Sequence, residues 1–185
     1  GYVPVGTDDT FPMTVFDTVM MGRAPKRGWV PSNKDQELAY SVLELLGIED
    51  LAMRNFNELS AGQHQKVAIA RGLAQEPEIL ILDEPTSNLD VKHQVNVMKL
   101  LKRLSKEKDM ITVMVSHDLN ISARFADKII LMSSPGIILQ IGAPEEVLTK
   151  ENMASVYGVK CDIVSIDGKP HVIITCLLYT SPSPR

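Results

Sequence analysis

An aliphatic run that ends in two acidic residues is the feature that most constrains the fold of this chain. Residues 79–82 read Ile-Leu-Ile-Leu, and Asp83 and Glu84 follow directly. Four successive aliphatic residues are typical of a parallel strand that is buried on both faces. Because ligands of α/β proteins bind at the carboxyl ends of such strands, the run predicts a ligand edge with two carboxylates. One of them can hold a metal ion while the other orients a water molecule.

A helix start with the composition of an anion site precedes this strand. Ser60 is a good N-cap residue, and Gln63 lies three positions later, as in a capping box. The first amides of a helix lack an intrahelical acceptor, and the helix dipole favours a phosphate beside them. Taken alone, the pattern is more often an ordinary capping box. Its position ahead of the acidic strand favours phosphate binding by Ser60, Ala61, Gly62 and Gln63.

Two more polar residues stand at element boundaries. His117 follows an apolar run at 113–115, and without context such a histidine is more often structural. Asp90 precedes a helical pattern and is predicted to be its N-cap. Neither residue alone indicates chemistry.

Together these motifs resemble those of the ABC-type ATPases. Residues 59–63, Leu-Ser-Ala-Gly-Gln, are similar to the family signature LSGGQ, with Ala61 in place of a glycine. Residues 79–84 look like the Walker B strand, residues 87–90 like the D-loop, and residues 113–118 like the strand that carries the switch histidine. The resemblance extends from residue 1 to about Thr175.

The resemblance implies a role for each candidate residue. Glu84 is the expected general base, His117 senses the γ-phosphate, and Asp83 supports Mg²⁺ through water. The loop at 60–63 binds the γ-phosphate of ATP held by the other subunit of a head-to-tail dimer, and Asp90 contacts that opposite site. ATP and Mg²⁺ are the expected cofactors.

Within the family the chain resembles the ATPases of importers for iron-siderophore, haem and cobalamin complexes. The pattern SNLDxxHQ at 87–94 and the segment 11–23 carry this resemblance. It implies two kinds of partner, a second ATPase subunit and transmembrane permease subunits that contact segment 11–23. The expected location is cytoplasmic and peripheral, at the inner face of the cell membrane. His93 and Gln94 fit an ordinary surface helix turn equally well.

Composition narrows the function classes. The net charge of −4 argues against broad nucleic-acid binding, which needs a basic face. No apolar stretch approaches the ~18 to 20 residues that span a bilayer. Cys161 and Cys176 lack metal or redox spacing and are expected to be reduced thiols. Arg23, Lys26 and Arg27 are predicted to form a solvated loop rather than a lipid-binding patch.

The predicted fold class is α/β, a partial P-loop ATPase core with a parallel sheet plus an all-helical subdomain. Alternating strand and helix patterns from residue 78 onward support the parallel sheet. The predicted segments are the end of a core strand with the Q-loop region (1–7), the helical subdomain (8–76), the ATP-binding core (77–141), C-terminal helices and a hairpin turned by Asp167 and Gly168 (142–176), and a non-native tail (177–185).

One motif of the family does not occur in the sequence. There is no G-x-x-x-x-G-K-[ST] phosphate loop, and Val5 stands where the family places the Q-loop glutamine. We therefore expect an N-terminally truncated cassette that is inactive alone. Two alternatives stay open. One is a non-transport ABC ATPase that acts in DNA maintenance or translation. The DNA-maintenance members usually carry a long coiled coil, and the sequence shows no sustained heptad pattern. The other is a piece that only interacts with partners.

Overall fold

The computed structural model describes residues 1–3, 13–23, 31–87 and 89–177. The chain divides into two compact units, Gly1–Ser116 and His117–Arg185. The first unit combines α-helices with a parallel sheet, which confirms the α/β class.

The described residues of the first unit form four α-helices, a three-stranded sheet and three short 3₁₀ helices. The helices are α1 (Val15–Met20), α2 (Asn33–Leu46), α3 (Ala61–Leu73) and α4 (Val91–Glu107). The strands are β1 (Tyr2–Val3), β2 (Ile79–Asp83) and β3 (Ile111–Val115), and the 3₁₀ helices are Met21–Arg23, Glu49–Leu51 and Phe56–Glu58.

Local sequence signals set the helix starts in this unit. Thr14 caps α1, and its hydroxyl accepts a hydrogen bond from the amide of Asp17 at 3.1 Å. Ser32 caps α2 in the same way, and Gly47 ends that helix in the left-handed conformation, at φ +60°. A residue with a Cβ is strained at such a φ, so glycine suits this C-cap.

The sheet has the order β1-β2-β3, and both pairs of strands are parallel. Leu80 and Leu82 of β2 are fully buried. Helix α3 packs against them closely, because a Cβ on Gly72 would lie 2.9 Å from Val3 and 3.0 Å from Leu80. A glycine at this point of α3 lets the helix approach the strands.

The opposite face of this sheet is exposed, so the prediction of a strand buried on both faces is wrong. Ile79 and Ile81 of β2 are 47% and 42% exposed, in alternation with the buried leucines. The exposed side chains on the three strands are those of Tyr2, Ile79, Ile81, Ile111, Val113 and Val115. The physical reason is that helices pack on one side of the strands, whereas nothing among the described residues covers the other side.

Arg23 contradicts the prediction of a solvated loop. Its guanidinium binds Asp35 at 3.0 Å and Glu76 at 2.9 Å, and it donates to the carbonyl of Ala74 at 2.9 Å. These contacts join the end of the first 3₁₀ helix to α2 and to the turn after α3. Lys26 and Arg27 lie outside the described residues.

Within its described part, up to Leu177, the second unit forms two antiparallel hairpins and three helices. Its elements are α5 (Leu119–Phe125), β4 (Ile129–Ser133), β5 (Ile137–Gly142), α6 (Pro144–Val147), α7 (Lys150–Tyr157), β6 (Val159–Ile166) and β7 (Lys169–Leu177). Asp167 and Gly168 both have positive φ and turn the β6-β7 hairpin, as predicted. Leu177 pairs with Val159 and is thus the last residue of β7 rather than part of a tail. Residues 178–185 lie outside the described residues.

The second unit has a hydrophobic core of its own. Met153 and Val147 are completely buried, and Leu148 and Cys161 are nearly so. The free thiol of Cys161 therefore lies in the core, whereas Cys176 is exposed.

Candidate functional site

Asp83 and Glu84 lie where β2 ends, at the carboxyl edge of the parallel sheet. Asp83 is the last residue of β2 and pairs with Val115 of β3. Both carboxylate-bearing residues are partly buried. The hydroxyl of Tyr2, at the start of the neighbouring strand, lies 3.5 Å from Oδ2 of Asp83. The predicted pair of carboxylates at a sheet edge is therefore confirmed.

The backbone of Glu84 has a left-handed conformation, with φ at +41°. Its amide donates to the carbonyl of Val115 at 3.1 Å, and its own carbonyl accepts from the amide and the hydroxyl of Ser87 at 3.0 and 2.9 Å. Non-glycine residues in this region are strained and persist only where the surroundings hold them. Sequence reasoning missed this conformation, because nothing about a glutamate signals it.

The turn after Glu84 leads to Asp90, which caps α4 as predicted. Thr86 in this turn is buried, and its carbonyl accepts a hydrogen bond from the side-chain amide of Gln94 at 3.2 Å. The carboxylate of Asp90 accepts from the amide of His93 at 2.9 Å. Asn88 lies outside the described residues.

The pKa of Asp90 is lowered from its ordinary value. The hydrogen bond from the His93 amide is the larger cause, and the hydrogen bond from the His93 ring follows. Both bonds stabilise the ionised carboxylate, so Asp90 stays charged at neutral pH. The cap is therefore anionic at the positive end of the α4 dipole.

The capping box at the start of α3 is present as predicted. The amide of Ser60 donates to Oε1 of Gln63 at 2.9 Å, and Oγ of Ser60 accepts from the amide of Gln63 at 3.4 Å. The amides of Ala61 and Gly62 occupy the next two positions, where a helix offers no acceptor. These two N–H groups are thus the ones that this helix start offers to an anion.

His64 anchors the helix start to the segment before it. Its Nε2 lies 2.6 Å from the carbonyl of Phe56, and the rings of His64 and Phe56 are tilted by 39° with their centroids 4.5 Å apart. Because the carbonyl is an acceptor, Nε2 carries the proton. Sequence reasoning did not single out His64, and its place directly after the capping box is the only signal for it.

His93 joins two of the predicted motifs. Its ring lies against Gly62 on one side and hydrogen-bonds to Asp90 on the other. The structure thus brings the helix start at 60–63 beside the Asp90 turn. His93 lies in the first turn of α4 with an exposed side chain, as expected for a surface helix turn, and it also contacts both motifs.

His117 is the first residue of the second unit and is exposed. Together with Asp118, Leu119, Asn120, Val172 and Ile174 it lines an open depression of about 300 Å³. Asp118 caps α5 by accepting from the amides of Asn120 and Ile121 at 3.0 and 2.9 Å. The cap fixes the backbone directly after His117.

Two kinds of site are absent from the part of the chain that the structure describes. No group of three or more His, Cys, Asp or Glu side chains there could hold a metal ion. The carboxylate of Asp83 is an oxygen ligand of the kind that Mg²⁺ binds, and Mg²⁺ usually keeps several waters. None of the described helices has the length and apolar character of a membrane span. Val5 and the first residues of segment 11–23 lie outside the described residues.

Comparisons with known proteins place the chain in a family. Residues 2–87 match the family model described as ABC transporter. An uncharacterized ABC transporter ATP-binding protein of Methanocaldococcus jannaschii is 47% identical over 94% of this chain and 67% of its own length. The ferric enterobactin transport ATP-binding protein FepC of Escherichia coli is 37% identical over 92% of this chain and 64% of its own length.

A solved structure supports the same assignment. An inward-facing conformation of a putative metal-chelate type ABC transporter matches with a TM-score of 0.85 and 30% identity, over 97% of this chain and 72% of that one. The chain spans 51 to 67% of the length of the curated relatives compared here. The order of elements, the motifs that they carry and these similarities agree, and the chain belongs to the ABC transporter family of ATP-binding proteins.

Proposed function

We propose that this chain is the ATP-binding and ATP-hydrolysing part of a subunit that powers the uptake of a metal chelate. The proposed cargo class is an iron-siderophore, haem or cobalamin complex. The support is the similarity to the ferric enterobactin protein and to the metal-chelate type transporter. The pattern at 87–94 agrees with this group.

In this proposal the acidic edge of β2 carries the hydrolysis chemistry. Glu84 is the general base that orients and polarises the attacking water, and Asp83 holds Mg²⁺ through water. Bound Mg²⁺ supplies positive charge that neutralises the phosphate oxygens. His117 is the sensor of the γ-phosphate. Positioning and charge stabilisation, rather than covalent chemistry, account for most of the rate in such reactions.

The helix start at 60–63 acts on nucleotide held by a second copy of the subunit. The amides of Ala61 and Gly62 are its donors toward the γ-phosphate, while Ser60 and Gln63 hold the turn through their capping box. The methyl group of Ala61 reduces the freedom of the loop relative to glycine. Asp90 contacts the same opposite site, so the working unit is a head-to-tail dimer. The dimer binds permease subunits through segment 11–23 at the cytoplasmic face of the membrane.

The observation that carries this proposal is the restraint on Glu84. A left-handed backbone fixed by Val115 and Ser87 holds its carboxylate at the ligand edge of the sheet. Strain of this kind clusters at active sites, where it pre-organises a functional group.

The test uses a dimeric subunit that carries these residues together with a phosphate-loop segment. We expect Glu84→Gln to lower Mg²⁺-dependent ATP turnover by about 10²- to 10⁴-fold, as for loss of a general base. Glu78→Gln, an exposed acidic residue just before the same strand, is the matched control and should keep full turnover. Full turnover in Glu84→Gln would remove Glu84 from the role of base.

A second test measures phosphate release from ATP by the 185-residue chain alone. Its sequence has no phosphate-loop lysine, so we expect no measurable phosphate release from ATP. Release that depends on Glu84 in this chain would contradict the expectation that it is inactive alone.

A further inference from the structure

The imidazole of His93 packs directly against the backbone of Gly62. A Cβ built on Gly62 would lie 2.9 Å from Cδ2 of His93 and 3.5 Å from both Cγ and Nε2. A contact below 3.0 Å cannot be accommodated without movement. Residue 62 must therefore be glycine for the ring to stay where it is. This contact joins α4 to the start of α3.

The same ring is held on its other side by Asp90. Nδ1 of His93 lies 2.9 Å from both oxygens of the Asp90 carboxylate. A carboxylate only accepts hydrogen bonds, so Nδ1 carries the proton in this arrangement. With Oδ1 of Asp90 also bound to the His93 amide, the ring cannot rotate without breaking the charge-assisted bond.

Gln94 extends this arrangement to the turn that precedes Asp90. Its side-chain amide binds the carbonyl of Thr86, so the first turn of α4 is attached to the turn at two points, Thr86 and Asp90. A displacement of the turn at 85–90 would therefore move the His93 ring with it. Since the ring contacts Gly62, that displacement reaches the start of α3.

We propose that His93 is a positioning residue that couples Gly62 to Asp90 within one subunit. The inference rests on the proposed function, which assigns both segments to the nucleotide site of the opposite subunit. The imidazole acts as a rigid spacer, so that the phosphate-binding helix start and the Asp90 turn approach or leave the nucleotide together. Without the imidazole ring, the helix start at 60–63 and the Asp90 turn approach the nucleotide independently of each other.

A simpler role for His93 would be to support the Asp90 cap and nothing more. His93→Ser separates the two roles, because the serine hydroxyl can donate to Asp90 as Nδ1 does. Serine lacks the Cδ2 and Nε2 atoms that face Gly62 and places no other atom where they lie. His93→Ala removes both contacts. Lys92→Ala, at an exposed neighbour in the same helical turn, is the matched control.

The first measurement is amide hydrogen exchange on the 185-residue chain, which needs no ATP turnover. We expect the amides of Gln63 and His64, which both donate to Ser60, to exchange on the order of threefold faster in both His93→Ala and His93→Ser, and at the wild-type rate in Lys92→Ala. Wild-type exchange in His93→Ser would overturn the proposal, because His93 would then act only through the cap.

The second measurement is reciprocal, as a coupling between two sites must be. Gly62→Ala should push the imidazole away from Asp90 and change the NMR resonances of the His93 ring. Ala61→Gly, at the adjacent position, should leave those resonances unchanged. An unaltered His93 ring in Gly62→Ala would show that the two residues are not coupled.

The third measurement separates this proposal from the proposed function. In the dimeric ATPase we expect His93→Ser to lower kcat about tenfold at unchanged KM for ATP, within the usual range of coupling between sites. If this His93 variant keeps the wild-type kcat, the coupling of Gly62 to Asp90 does not contribute to ATP turnover, and that part of the proposal is wrong. Should Glu84→Gln keep full activity, the proposed function fails, while exchange and NMR on the chain still decide whether His93 couples the segments.

Discussion

Asn120 and Val172 are joined by two hydrogen bonds of opposite direction. The side-chain oxygen of Asn120 accepts from the Val172 amide at 2.8 Å, and its Nδ2 donates to the Val172 carbonyl at 3.2 Å. The asparagine thus pairs with β7 as a neighbouring strand would. This pairing attaches the start of α5, two residues beyond Asp118, to the C-terminal hairpin.

Loss of this pairing should loosen the hairpin. Asn120→Ala leaves the amide and carbonyl of Val172 without their partner, and we expect a cost of about 1–3 kcal/mol in the free energy of unfolding of the second unit. Hydrogen exchange should rise at Val172 and its neighbours in β7. Asn152→Ala is a suitable control, since Asn152 also bonds to a backbone carbonyl, that of Val147, elsewhere in the same unit. Equal exchange at Val172 in wild type and Asn120→Ala would refute the prediction.

The two faces of β2 should differ in their contribution to stability. Leu82→Ala removes a completely buried side chain, and we expect it to cost about 2–5 kcal/mol. Ile81→Ala, one residue away on the exposed face, should cost about 1 kcal/mol or less. Urea denaturation of the chain measures both values. Similar large losses in the two variants would mean that both faces of the strand are covered in solution.

The left-handed residue at the end of β2 allows a gain in stability. Glu84→Gly should raise the free energy of unfolding by about 1 kcal/mol, because glycine adopts φ near +41° without the steric cost of a Cβ. Glu84→Gln keeps the Cβ and should leave stability near the wild-type value. Thermal denaturation of the two variants makes the comparison. A lower midpoint for Glu84→Gly than for Glu84→Gln would argue against backbone strain at this residue.

Acid should destabilise the chain through its paired aspartates. Hydrogen bonds from Ser32 and then from Arg23 lower the pKa of Asp35 below 3.8, and the Lys150 ammonium lowers that of Asp162 in the same direction. A carboxyl group with a depressed folded-state pKa contributes stability above 3.8, and this stability is lost as pH falls through the lowered value.

Denaturation midpoints measured between neutral pH and pH 2 test this expectation. The acid-dependent loss should be smaller in Asp35→Asn than in wild type. Asp50→Asn, at an exposed residue of the second 3₁₀ helix, provides the comparison. An identical pH profile in wild type and Asp35→Asn would contradict the assignment.

Local chemistry explains which parts of the fold could be predicted from sequence. The caps at Thr14, Ser60 and Asp90 and the turn at Asp167 and Gly168 depend on residues within three or four positions of each other. Such interactions have few alternatives, so pattern and structure agree. The parallel pairing of β2 also followed from its aliphatic run.

Features that depend on distant packing could not be predicted. An aliphatic run does not tell which of its faces is covered, so the exposure of Ile79 and Ile81 was missed. The contact between Gly62 and His93 joins residues 31 positions apart (93 − 62), so no local pattern indicates it. The left-handed Glu84 is imposed by its neighbours in space, against its own preference.

The open face of the parallel sheet affects how this polypeptide associates with itself and with other proteins. Six large apolar or aromatic side chains on three adjacent strands form one exposed hydrophobic patch. Chaperones and proteases recognise surfaces of this kind, and at high concentration chains bearing them associate with one another. Self-association of the chain should therefore begin at this face, where apolar side chains of two copies can cover each other.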